Sequence, residues 1–311
     1  MNSLESCDNL IVIVGPTAVG KTGVAMDLVS KIGGEIVSAD SMAVYVGMDI
    51  GTAKPTPDEM MSARFHLIDV ADPAAPFSVG EFQRLAQAAI DDIMKRNPPA
   101  VVVGGSGLYV RAAVDGLNVD IPPRDDDLRS ELQSKAEKLG RESLHAQLQQ
   151  LDPITAARIH PNNVKRVIRA IEICLLGGAP AASLYGEAQI RFKNNKWFGL
   201  TMNRQRLYAR IEDRIDNMIA LGLIDEVAEL LKKGIDERMT SMQGLGYKEI
   251  AGYLLGRYSK QDAIMLLKRN TRRFAKRQYT WFRQDKRIQW LDIDSLSDDD
   301  VSETIIRSSI K

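Results

Sequence analysis

Cysteine is scarce in this chain: Cys7 and Cys174 are the only two among 311 residues. Two thiols cannot make a disulfide framework, nor a four-ligand zinc site by themselves, and so few suit a reducing compartment. Histidine is nearly as sparse, at three residues. His145 and His160 lack the spacing of metal ligands, which leaves them as structural or surface groups. Long hydrophobic runs are missing too. The first apolar run, Leu10–Val14, falls far short of the ~20 residues a membrane-spanning helix needs. Met1–Asn9 carry Glu5 and Asp8 but no Lys or Arg, the reverse of a secretory leader. These absences argue against export and membrane insertion and for a cytoplasmic protein. Repeats and low-complexity tracts are also lacking. Net charge is zero, from 41 basic and 41 acidic residues.

What is present reads as a soluble globular protein: 44% apolar and 26% charged residues exclude wholesale disorder and fibrous classes. The length calls for one large α/β domain, or a core with a second lobe. The zero balance hides an asymmetry. Nine Lys and Arg fall between Gln261 and Arg287 against Asp262 and Asp285, whereas six acids follow Leu291 against Arg307 and Lys311. A local basic face of this kind attracts polyanions even on a neutral chain.

Leu10–Val14 is a β-branched run that stops at a glycine, the pattern of a buried parallel strand. A helix is expected over Lys21–Lys31, a strand over Glu35–Ala39, a helix over Phe82–Arg96, and a strand over Ala100–Val103 that again exits into glycines. Strands and helices alternating in this way predict a doubly wound parallel sheet, with ligands at the carboxyl ends of the strands, here Gly15, Asp40 and Gly104. The texture changes near Gly116. Pro122–Pro123 introduces a polar helical stretch from Arg124 to Gln150, and helical spacing continues through Ile154–Leu176 until Gly177, Gly178 and Pro180. Trp197–Thr201 reads as a return to the sheet. The expected organisation is a catalytic core of 1–115 and 197–311 with a helical insertion of 116–196. Leu207–Lys233 and Gln261–Arg283 read as long amphipathic helices, and the tail after Ser295 as loosely ordered.

Gly15-Pro16-Thr17-Ala18-Val19-Gly20-Lys21-Thr22 fits G-x-x-x-x-G-K-[ST] at every position. Its glycines let backbone N–H groups converge on one anion, Lys21 adds a full positive charge, Thr22 offers a hydroxyl to Mg2+, and the helix that follows presents its positive end. The motif specifies a diphosphate and not a particular nucleotide. A motor or GTPase also needs an acid at the end of a second apolar strand, but Ala100–Val103 runs into Gly104 and Gly105. Asp40 is the one acid at a strand end. It reads either as a metal organiser or as a base.

Further residues carry a resemblance. Asp40-Ser41-Met42, Val44-Tyr45, Gly51-Thr52-Ala53-Lys54-Pro55, His66-Leu67-Ile68-Asp69, Gly104-Gly105-Ser106-Gly107-Leu108-Tyr109, Arg214-Ile215-Asp216 with Met218, Gly246-Tyr247-Lys248-Glu249, Ala275-Lys276-Arg277-Gln278 and Thr280-Trp281-Phe282-Arg283 resemble the tRNA dimethylallyltransferases in order and over essentially the whole chain. Phe65, where the family usually has a second His, and Ser106, where it usually has Thr, depart from the pattern. Phe65 puts in doubt a catalytic histidine pair there; Ser106 keeps the hydroxyl.

The resemblance implies a P-loop-like core, and transfer of a dimethylallyl group from its diphosphate to N6 of an adenosine beside the tRNA anticodon. The phosphate loop, Gly15, Thr17, Ala18, Val19, Gly20, Lys21 and Thr22, then grips the leaving diphosphate, with Mg2+ at Thr22. Asp40 becomes the candidate base for the amine proton, with a helix cap or a second-shell Mg2+ ligand as its alternatives. Arg214 becomes a second clamp on the leaving group, against a surface arginine paired with Asp213 or Asp216. Thr17 and Ser106 are hydrogen-bonding candidates or caps. The same resemblance implies tRNA contacts at Asp40, Ser41, Met42, Ala43, Ser106, Arg129, Lys165, Arg166, Val167, Ile168, Arg169, Lys276, Arg277 and Gln278, with Trp281 close by. The alternative for Arg166 and Arg169 is a solvated basic helix face. Val44, Tyr45, Met48 and Leu108 are candidate walls for the five-carbon tail, with plain core packing as the alternative. Met218, Met239 and Met242 read as packing, and Lys54 is undecided. The absence of a Cys/His cluster after Arg283 matches the bacterial form, and a monomer is expected. The competing readings are prenylation of free adenine nucleotides, a P-loop small-molecule kinase or NTPase, and a non-enzymatic RNA-binding module.

Overall fold

The computed structural model describes residues 10–117, 125–181, 191–192 and 194–309. Cys7, the Pro122–Pro123 break and Arg124 lie outside them. The chain divides into two compact units, Met1–Val114 with Arg191–Lys311, and Asp115–Ile190. No helix among the described residues is long and apolar enough to cross a membrane.

The first unit holds a parallel sheet of six strands: β1 (Leu10–Val14), β2 (Glu35–Ser38), β3 (Phe65–His66), β4 (Ala100–Gly104), β5 (Asn195–Thr201) and β6 (Ile288–Asp292), in the order β3-β2-β4-β1-β5-β6. β1 and β4 are buried at every residue, which is why both read as unbroken apolar runs. They pair in register from Leu10↔Ala100 to Val14↔Gly104. The chain leaves β1 toward β2 on one side and leaves β4 toward β5 on the other. This divergence makes the crevice at their carboxyl ends the topological switch point, where open α/β sheets bind ligands.

α1 (Lys21–Ile32) follows the phosphate loop, and α2 (Pro57–Ser62) precedes β3. α3 (Val79–Arg96) starts ahead of the predicted Phe82 because Ser78 and Glu81 form a reciprocal capping box. α4 (Gly107–Asp115) follows β4. In the second unit, α5 (Asp126–Leu139), α6 (Arg141–Leu151), α7 (Pro153–Arg158) and α8 (Val164–Gly177) surround a core that includes Leu132, Leu144, Leu148, Val167 and Ile171. The two helical stretches expected here are each broken, one at Gly140 (φ 87°) and the other between Ile159 and Asn163 around Pro161.

α9 (Arg204–Ala220) and α10 (Leu223–Lys232) replace the single helix expected over Leu207–Lys233; Gly222 at φ 100° turns the chain between them. α11 (Tyr247–Leu254) and α12 (Lys260–Phe282) follow. The tail is not loose. α13 (Asp298–Ser309) buries Val301 and Ile305, and Lys31 of α1 binds both Asp299 and Ser302. Its acids hid an i, i+4 apolar pair. β3 was missed because two residues carry no period, and β6 because its five residues do not alternate and lie between a basic and an acidic run.

Candidate active site

The loop after β1 is shaped for an anion. Gly15 sits at φ 149° and Gly20 at φ 102°, with Ala18 at φ 65° between them; such alternation lets successive N–H groups converge. A Cβ on Gly15 would lie 2.8 Å from the Leu200 carbonyl oxygen of β5. Val19 is buried, so it serves the loop through its backbone. α1 opens without a side-chain cap or an acid in its first turn, which leaves its first N–H groups for a ligand.

Lys21 Nζ donates to the Pro16 carbonyl at 2.8 Å. Burial pushes its ammonium down to about 8, with Asp40 opposing the change and Arg214 adding to it. Arg214, on α9, is also lowered by burial and supported by Asp40. Asp216 is taken by Lys268 at 2.7 Å. Two half-buried cations beside one carboxylate are poised for an anionic ligand. Asp40 itself lies just past β2. Its Oδ1 accepts the N–H of Met42 at 2.8 Å and, more weakly, of Ala43 at 3.4 Å, so one oxygen holds the turn over residues 41–44 and caps no helix.

Thr17, Lys21, Thr22, Asp40, Ala43, Arg214 and Gln278 all line one cavity of about 120 Å³. Thr17, Asp40 and Arg214 also line a second, of about 340 Å³, together with Ala18, Ser41, Met42, Ser106 and Arg277. Ser41 Oγ and Ser106 Oγ are 3.1 Å apart. Its apolar wall comes from Ile211, Ile215 and Met218 of α9, Leu245, and Leu267 and Phe274 of α12. A third, open cavity of about 810 Å³ is lined by Gly20, Lys21, Thr22 and Arg214. Arg214 faces all three. Of the candidate tail-pocket walls, Val44, Tyr45 and Met48 take the core alternative, and Leu108 is 46% exposed. Met218 is a cavity wall and not only packing. The missed signal was the i, i+4, i+7 stripe Ile211–Ile215–Met218 beside Arg214.

Gln278 is buried at 6% exposure. Its Oε1 accepts the Thr17 N–H at 2.9 Å and its Nε2 donates to the Gly105 carbonyl at 2.9 Å. Its amide is thus committed to protein backbone, unlike its exposed neighbours Lys276 and Arg277. A Cβ on Gly105 would meet Gln278 Nε2 at 2.3 Å, and one on Gly107 the Trp281 ring at 2.1 Å. These glycines therefore admit α12, not a phosphate.

Several other polar and basic groups are spent on structure. Lys54 is buried and donates to the Tyr45 carbonyl (2.7 Å), Asp49 (2.6 Å) and Asp69 (2.5 Å). His66 pairs with Glu35 at 2.6 Å beside Arg96. On α12, Lys268 and Arg272 bind Asp216 and Glu212 of α9. In the second unit, buried Glu172 accepts both Arg129 (2.9 and 2.8 Å) and Arg169 (2.5 Å). Val167 and Ile168 are core residues, so their side chains offer no RNA contact. Of the α8 segment, Lys165 and Arg166 are the exposed cations. His145 binds the Ala156 and Ile159 carbonyls, a structural role.

A family model described as IPP transferase matches residues 43–285. The chain belongs to the IPP transferase family. It is 50% identical to a tRNA dimethylallyltransferase of Desulforudis audaxviator (strain MP104C), over 92% of each chain. It is 48% identical to one of Geobacillus thermodenitrificans (strain NG80-2), over 92% of this chain and 91% of that one. Among solved structures, a full-length tRNA isopentenylpyrophosphate transferase from Bacillus halodurans aligns with TM-score 0.72 at 44% identity, covering 97% of both chains. A eukaryotic dimethylallyltransferase acting on tRNA aligns with TM-score 0.78 at 27% identity, over 96% of this chain and 77% of that chain. The sheet is the P-loop-like core of that family.

Proposed function

We propose that this protein transfers the dimethylallyl group of dimethylallyl diphosphate to N6 of the adenosine on the 3′ side of the anticodon in tRNA, releasing diphosphate. One observation carries the reading: a single cavity is lined by Lys21 of the phosphate loop, Arg214 of α9 and the carboxylate of Asp40. It thereby supplies both ends of a displacement. The new N6–C bond forms as the allylic C–O bond breaks, and the bonding pair leaves with the diphosphate. Lys21, Arg214 and the loop N–H groups meet the charge that grows there. Asp40 accepts the N6 proton, which matters because the exocyclic amine's lone pair is delocalised into the ring.

The adjoining cavity of about 340 Å³, apolar on its α9 and α12 side, takes the reacting groups. The adenine enters it only by leaving its stack. The loop also suits Mg2+: Thr22 is an exposed hydroxyl at the start of α1, and no three-acid cluster stands among the described residues. This fits a cation that keeps waters and draws its other ligands from a diphosphate. When bound, Mg2+ neutralises charge on the departing diphosphate. Exposed Lys165 and Arg166 on α8, and Lys276 and Arg277 on α12, are the candidate phosphate contacts for the anticodon stem-loop.

The test is to incubate the protein with Mg2+, dimethylallyl diphosphate and unmodified tRNA, then digest and weigh the nucleosides. A five-carbon adduct on adenosine is expected. AMP prenylated as fast as tRNA would favour the free-nucleotide reading. ATP turnover without any adduct would favour a kinase or NTPase.

A further inference from the structure

The phosphate loop and the loop after β4 need a connection that the sheet cannot give. At the switch point the chain leaves β1 and β4 in opposite directions. Their pairing ends at Val14↔Gly104, one residue short of both loops. Among the described residues, the side chain of Gln278 spans the gap. It takes the Thr17 N–H on Oε1 and gives Nε2–H to the Gly105 carbonyl, each at 2.9 Å, from a residue 6% exposed. Gly105 is fitted to it, since a Cβ there would fall 2.3 Å from Nε2.

From this geometry we infer that Gln278 is a positioning residue for the diphosphate, acting through the phosphate loop, and is not itself an RNA contact. Thr17 N–H is withdrawn from the ligand, so the loop's anion donors begin at Ala18. Ala18 holds a left-handed φ of 65°, a shape that costs a non-glycine residue and persists only where neighbours over-determine it. The Thr17–Gln278 bond adjoins that position and fixes the loop on its β4 side. Lys21 binding the Pro16 carbonyl fixes the other. The inference rests on reading the loop as a diphosphate cradle.

Gln278→Met keeps the length and packing of the side chain and removes both hydrogen bonds. Inorganic diphosphate with Mg2+, titrated calorimetrically without tRNA, is expected to bind about tenfold more weakly, as loss of buried polar partners predicts. The KM for dimethylallyl diphosphate should rise in parallel, with kcat changed less and the tRNA Kd within about twofold. Gly105→Ala, which pushes the amide off its carbonyl, should reproduce the diphosphate defect. A diphosphate Kd within twofold of wild type in Gln278→Met overturns the inference. So does loss of tRNA affinity, alone or together with diphosphate affinity. If the wild-type protein prenylates no tRNA, the proposed activity fails, while the diphosphate titration still decides the role of Gln278.

Discussion

Asp40 holds its own turn with one oxygen while sharing a cavity with Lys21 and Arg214. Substituting Asn keeps the acceptor for the Met42 N–H and removes the charge and basicity. Asp40→Asn is expected to lower kcat about 10²- to 10⁴-fold, the range for losing a general base, with tRNA Kd unchanged in filter binding. A matching loss of diphosphate affinity would instead assign it to the metal. Lys21 makes a pH prediction. Its ammonium, pushed down to about 8 by burial, lies below the ordinary value of ~10.4. The folded protein therefore binds fewer protons than the unfolded chain between those values, and the stability cost of burying this lysine eases as pH rises through that window. Ligand binding runs the other way, because the charge that attracts diphosphate is lost. Calorimetry should show diphosphate affinity falling about tenfold from pH 7.5 to 9.5 as this group titrates, and Lys21→Arg, which stays charged, should flatten that dependence. The phosphate loop was legible residue by residue because its chemistry is contiguous. The partners of Gln278 were not, since Thr17 and Gly105 lie 261 and 173 residues away along the chain.

Elements are where periodicity was most and least informative. β1, β4 and α3 announced themselves by unbroken or 3.6-residue patterns. Breaks at Gly140 and Gly222 were masked because apolar spacing continues on both sides. α12 shows how an element divides its labour: Lys268 and Arg272 tie it to α9, Gln278 to the phosphate loop, and Lys276 and Arg277 stay exposed. α13 corrects the expectation of a loose tail. Ile305 is fully buried, so Ile305→Ala should cost roughly 2–4 kcal/mol in urea unfolding. Prenyl transfer per folded molecule should be unchanged, because none of the three cavities includes a residue of α13.

For the whole molecule, zero net charge says little about RNA affinity; the distribution of unpaired cations decides it. Arg166 is exposed on α8, whereas Arg129 and Arg169 are held by Glu172. Arg166→Ala should therefore weaken tRNA binding and reduce the slope of log Kd against log salt by about 0.7–0.9, the value for one phosphate contact. An unchanged slope in a salt titration would remove Arg166 from the interface. The sequence alone determined the sheet class, the anion-binding loop, the acid at the end of β2 and the family, because each is encoded in short contiguous patterns. The tertiary structure decided which charged groups remain free for substrate. Counter-ions such as Glu172 for Arg129, or Glu212 for Arg272, are brought within hydrogen-bonding distance only when distant elements pack, and no local period records that.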